Sequence, residues 1–137
     1  MTQISDWLDD FFRSYYKFRP VNATFIGMHE YDGVLPDFTE EAIKIFSSDV
    51  KRLLENSSKL QPVNRVEGID LQLASNFLTI QIEELEGKHF HRGNPAVYSS
   101  EAIFGLISLC LREFAPKSER MNSMMGRIKQ IPDLLET

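Results

Sequence analysis

Residues 4–17 read ISDWLDDFFRSYYK, and the spacing of their apolar members decides the fold class. Ile4, Trp7, Leu8, Phe11, Phe12 and Tyr15 recur at intervals of three and four, the period of one helix face. Ser5 is placed to cap free N–H groups and Asp6 suits the positive end of the helix dipole, so a helix is predicted over about Ser5–Lys17. Its core stripe is unusually aromatic. Pro20 then stops or restarts the chain, and Val21–Ile26 reads as a short turn of helix ending at Gly27, a suitable left-handed cap.

The same reading extends outward. Residues 28–38 contain Gly33 and Pro36 and have no period, which predicts an irregular loop. Thr39 opens a helix with Glu40 and Glu41 in its first turn and a stripe of Ile43, Phe46, Val50, Leu53 and Leu54, running to about Asn56. A polar connector with Pro62 follows. From Val66 to Glu86 apolar residues fall on two faces, Ile69, Leu73, Phe77 and Ile80 on one and Leu71, Ala74, Leu78, Ile82 and Leu85 on the other, the pattern of a helix sandwiched between neighbours. Gly87 closes it and Gly93-Asn94-Pro95 marks a second loop. Ser99 or Ser100 is expected to cap the next helix, whose run AIFGLISLCL from Ala102 to Leu111 is apolar all round. Such a helix lies either at the centre of a bundle or under a part of the protein outside these residues. Pro116 separates it from a helix over about Ser118–Gln130 carrying Met121, Met124, Met125 and Ile128, and Pro132-Asp133-Leu134-Leu135 is expected to open another element. No segment reads as a strand. The fold class is therefore all-α, with five to six helices in an irregular antiparallel bundle and no sheet.

Composition bounds the function. At 137 residues the chain is about one domain long, long enough to bury a sizeable core. A net charge of -5 with basic residues dispersed among acidic ones argues against nucleic acid as a partner, the short basic run Lys88-His89-Phe90-His91-Arg92 reading as a polar loop. No uninterrupted apolar stretch approaches the ~20 residues of a membrane span, and Asp6, Asp9 and Asp10 interrupt any leader-like opening, so a cytoplasmic location is expected. The single cysteine, Cys110, allows no internal disulfide and reads as a small core hydrophobe.

Three groups of residues offer chemistry. His29, Tyr31 and Asp32 place an imidazole, a phenol and a carboxylate within one loop, suited either to contacting a substrate or to tying the loop to the start of the next helix. His89 and His91 form a His-x-His pair, but a zinc site needs further ligands and a surface loop is the simpler reading. Arg112, Glu113, Arg120 and Arg127 recur around Pro116; an arginine among them could hold a carboxylate, and ion pairs stitching the last two helices together are the commoner use of such spacing. The Met stripe suits either an adaptable interaction surface or packing against the aromatic first helix. Gly27, Gly33, Gly87, Gly93 and Gly105 stand alone, so there is no phosphate loop, and no Gly-x-Ser-x-Gly elbow singles out a nucleophile.

The stretch from Phe12 to Glu41, FRSYYKFRPVNATFIGMHEYDGVLPDFTEE, orders Arg19-Pro20, Ala23-Thr24, Gly27, His29, Tyr31-Asp32 and Leu35-Pro36-Asp37. Asn94-Pro95-x-x-Tyr98, Leu111-Arg112-Glu113-Phe114-Ala115-Pro116, Arg120, Arg127 and Pro132-x-x-Leu135 follow. Together these resemble the N-terminal part of the bacterial domain of unknown function 885 family, large all-helical proteins similar to zinc metallopeptidases. The resemblance implies a zinc-binding His-Glu-x-x-His helix in a later part of a longer chain. Here the sole His-Glu pair is His29-Glu30, and Gly33 stands where a second histidine would be needed on the same helix face. The resemblance thus implies that residues 1–137 are a single non-catalytic helical domain, holding no zinc of its own, that forms part of the wall or lid of a peptide-binding cleft. His29, Tyr31, Asp32 and Arg112 are its candidate cleft residues. The partner would be the remainder of the parent chain. The rival expectation is a self-standing binding or dimerisation module that buries the apolar Ala102–Leu111 helix and the Met-rich helix against a second copy or another protein.

Overall fold

The computed structural model describes residues 2–87 and 92–137, which hold six α-helices, one short 3-10 turn and no strand. The helices are α1 (Gln3–Phe18), α2 (Pro20–Ile26), α3 (Glu40–Ser57), α4 (Arg65–Glu86), α5 (Ala96–Cys110) and α6 (Lys117–Glu136). The all-α bundle read from the sequence is the observed architecture. No described helix is long and apolar enough to cross a membrane.

The boundaries differ from the sequence reading in ways that capping explains. Thr2, not Ser5, caps α1, its hydroxyl accepting from the Ser5 N–H at 3.2 Å. Thr39 caps α3 as expected, and Asn64 caps α4 by accepting from the Glu67 N–H at 3.0 Å. Helix α5 starts at Ala96 directly after Pro95, before either of the serines expected to cap it; Ser99 instead turns its hydroxyl back to the Ala96 carbonyl inside the helix. Gly27 ends α2 at φ 91°, the left-handed conformation a side chain resists, and its N–H and that of Met28 close onto the carbonyls of Thr24 and Ala23. Pro132 does not open a new element. Helix α6 runs through it to Glu136, with the missing bond and the ring's clash both falling at the Ile128 carbonyl, on an exposed turn.

Two helix pairs and a connecting corner build the molecule. Helices α3 and α4 form one hairpin, α5 and α6 another; α1 lies against α3 and α4, and α2 links α1 to α5. The first core is aromatic: Phe18 stacks on Phe46 at 4.0 Å between centroids, and Phe77 receives the edges of Phe11 and Tyr15. Buried Trp7 donates its indole N–H to the Leu53 carbonyl at 3.1 Å, which fixes α1 along α3. Ile4, Val50 and Leu53 are each within 2 % of full burial, stabilising the fold by about 1.5–3 kcal/mol apiece.

Burial departs from the sequence reading in four places. The Ile69, Leu73 and Ile80 face of α4 is exposed, so this helix has one covered side rather than two. Helix α5 is not central: Ala102, Gly105, Ser108 and Leu109 face inward while Ile103, Phe104, Ile107, Cys110 and Leu111 face out. Cys110 is accordingly no core residue. Met121 and Met125 are also exposed, which removes the packing role against α1.

Candidate functional site

The second core is organised by one side chain that the sequence offered either as a grip on a carboxylate or as an ion pair between the last two helices. Arg127 of α6 is 0 % exposed and touches α2, α5 and the 28–38 loop at once. Its Nε–H donates to the Val34 carbonyl at 2.9 Å and one terminal nitrogen to the Gly105 carbonyl and the Ser108 hydroxyl. The other terminal nitrogen reaches the Thr24 hydroxyl at 2.8 Å and the carbonyls of Tyr31 and Pro20. Gln130, one turn on, accepts from the Leu35 N–H and donates to the Gly33 carbonyl, both at 2.9 Å. The loop therefore has its backbone bonds supplied by α6. Burial pulls the Arg127 guanidinium down to about 10, while Asp32 and Glu101 oppose the fall.

Arg120 behaves the same way, donating to the carbonyls of Ala115 and Leu109. Among the described residues neither arginine forms an ion pair, and guanidinium-to-carbonyl bonding stands in place of the expected stitching of the last two helices by charge. An arginine so used is a cross-link between backbones.

The His29, Asp32 and Thr24 side chains continue from Arg127. Thr24 donates its hydroxyl to Asp32 Oδ1 at 2.6 Å, and Asp32 Oδ2 faces His29 Nδ1 at 3.0 Å. Asp32 is 7 % exposed. The His29 ring lies flat on Phe114, 3.8 Å between centroids and 12° from parallel, with its side chain 37 % exposed. His29 and Asp32 do lock the loop, but to the preceding helix α2 and to the α5–α6 connector, not to the start of α3.

Of the four residues marked in the sequence, the structure brings His29 and Asp32 into contact. Tyr31 is half-buried in the same 3-10 turn and contributes its backbone carbonyl to Arg127. Arg112 is exposed in the connector that carries Phe114 and forms no ion pair among the described residues. His89 and His91 lie outside the described residues. Among the described residues no group of three or more His, Cys, Asp or Glu side chains could hold a metal ion.

A second polar pair lies nearby. Arg19 meets Glu101 at 3.4 Å, both nearly buried, with the Arg19 guanidinium 5.4 Å from the Phe18 ring centre and 5.6 Å from that of Phe38. Burial lowers Arg19 and raises the Glu101 carboxyl, outweighing their mutual attraction in both cases. An open groove of ≈ 560 Å³ lies between the starts of α3 and α5 and the end of α6, lined by Phe38, Arg92, Pro95, Tyr98 and Leu135. Neither His29 nor Arg112 lines it.

Arg127 and Thr24 are the members of this cluster least legible in the sequence. The contacts that define them span about a hundred positions, and one signal was present: Arg127 stands seven residues before buried Leu134, on the inward line of α6. No family model matches the chain, and neither does any curated protein or solved structure.

Proposed function

We propose that this chain is the N-terminal, non-catalytic helical domain of a zinc-peptidase-like protein of the kind it resembles. The observation that carries this reading is helix α5. Along its C-terminal two turns the outward residues Ile103, Phe104 and Ile107, with Leu111 just beyond, are exposed, and on its partner helix α6 so are Met121, Met125 and Ile128. Isolated exposed apolar residues are ordinary, but this many on two paired helices mark a surface that another body covers. In this proposal that body is the catalytic part of the parent, and His29, Tyr31, Asp32 and Arg112 border its peptide cleft. The zinc-bound water of the parent would attack the scissile carbonyl; this domain supplies wall and order. A cytoplasmic setting belongs to the same proposal, supported by the exposed free thiol of Cys110, which suits a reducing compartment.

The test is to read the coding sequence downstream of Thr137 for a His-Glu-x-x-His helix and to assay the 137-residue chain for peptide hydrolysis. A zinc helix downstream and no activity in the chain alone are expected. Zinc-dependent hydrolysis intrinsic to these residues would overturn the reading. One observation favours a second reading, a self-pairing module: the outer face of α5 carries no charged residue, Glu101 being turned inward onto Arg19, so two copies could meet there without repulsion. A stable dimer in solution that dissociates on Phe104→Lys supports that alternative.

A further inference from the structure

We infer that His29 is a preset proton acceptor, its Nε2 the base for an O–H donor such as water or a substrate hydroxyl, with Asp32 as its positioning residue. The argument starts at Asp32. Both carboxylate oxygens are engaged, Oδ1 by the Thr24 hydroxyl at 2.6 Å and Oδ2 by His29 Nδ1 at 3.0 Å. The buried guanidinium of Arg127 sits one hydroxyl away, donating to the same Thr24 oxygen at 2.8 Å. An ionised carboxylate only accepts, so the nitrogen facing it carries the hydrogen. That assigns the Nδ1–H tautomer and leaves the lone pair of the neutral ring on Nε2.

Orientation is fixed as well as protonation. The ring is clamped flat against Phe114, and the 3-10 turn beneath it is tied to Arg127 through the carbonyls of Tyr31 and Val34. A structural lock alone needs none of this selectivity, since either ring nitrogen could fill one hydrogen bond. The carboxylate behind an exposed imidazole is the arrangement that sets a histidine's tautomer and steadies its positive charge when the outer nitrogen takes a proton. A place for this base in a peptide cleft rests on the function proposed above; the state of the ring does not.

The experiment separates the two. A long-range 1H–15N correlation spectrum of the 137-residue chain, with the His29 signals assigned by their loss in His29→Gln, is expected to show His29 as the Nδ1–H tautomer. In Asp32→Asn the side-chain oxygen keeps the Thr24 bond and the amide N–H₂ faces Nδ1, which forces the opposite tautomer and turns the lone pair inward. Diethyl pyrocarbonate reads the consequence. Nε2 attacks one carbonyl, forming an N–C bond and expelling monoethyl carbonate, which breaks down to ethanol and CO₂, while the Nδ1 proton leaves to solvent. Ethoxyformylation of His29, followed by peptide mass, is expected to slow by about tenfold in Asp32→Asn. An Nε2–H tautomer in the native chain, or an unchanged rate in a folded Asp32→Asn variant, would overturn the inference. Should that variant not fold, the native spectrum still decides. A failed spectrum leaves the peptidase-domain reading standing, and a coding sequence without a zinc helix leaves the ring assignment standing.

Discussion

Arg127 joins four segments of chain through one planar group, so its replacement is costly out of proportion to its size. Arg127→Met leaves the carbonyls of Val34, Gly105 and Tyr31 without a donor and removes the countercharge from Asp32. A loss of about 3–5 kcal/mol is expected by urea unfolding. Arg127→Lys recovers little, because one ammonium cannot reach α2, α5 and the loop together. The Arg19–Glu101 pair should behave in the opposite manner. Burial dominates both partners, so Arg19→Met alone or Glu101→Leu alone destabilises, whereas the double variant is close to neutral, a pattern that a double-mutant cycle measures. The raised Glu101 carboxyl also fixes a sign. The folded state binds this proton more readily than the unfolded state, so the contribution of Glu101 to stability grows as pH falls from the folded value toward its ordinary 4.5. Native protein should therefore gain on Glu101→Gln as pH is lowered through that range, measured by paired urea titrations.

At the scale of helices, three glycines test how closely elements approach. A methyl group on Gly126 would meet the Gly33 carbonyl oxygen at 2.8 Å, a backbone atom with no freedom to move aside. On Gly105 it would meet Leu35 Cδ2 at 2.7 Å, the end of a side chain that can turn. On Gly68 the nearest atom is Pro62 Cγ at 3.7 Å, ordinary contact. Gly126→Ala is expected to cost about 1–3 kcal/mol and Gly105→Ala less, while Gly68→Ala stabilises by about 0.5–1 kcal/mol through helix propensity alone. Thermal melts of the three variants check the order. Helix existence and faces were legible in the sequence wherever one stripe sufficed, as in α1 and α3. Helices with two apolar faces were misread, because periodicity reports which residues are apolar and not which faces are covered. The same gap applies at the site. The cluster of His29, Tyr31 and Asp32 was visible because its members are neighbours in the chain, whereas Arg127 joins them only through tertiary approach. Pro132 was read as a boundary because local chemistry allows a break there, and the packing of Leu134 and Ile131 keeps the helix going.

The whole molecule leaves apolar residues on its outside at both ends. Beyond the aromatic core of α1, α3 and α4, Leu73 of α4 is 63 % exposed, and on α5 Ile103 and Phe104 are 57 % and 51 % exposed. The double substitution Ile103→Lys and Ile107→Lys should leave the melting temperature nearly unchanged, within about 0.5 kcal/mol in stability, while lowering binding of an apolar dye and any self-association. A large loss of stability in that variant would mean the face is structural. Trp7 sets a condition on how such events are watched. It is the sole tryptophan, sealed between α1 and α3 with its N–H committed to Leu53. Its emission is therefore a gauge for the aromatic half alone: a partner settling on α5, or a ligand at His29, would pass unseen in the fluorescence trace, and a change in that trace would signal the parting of α1 from α3 instead.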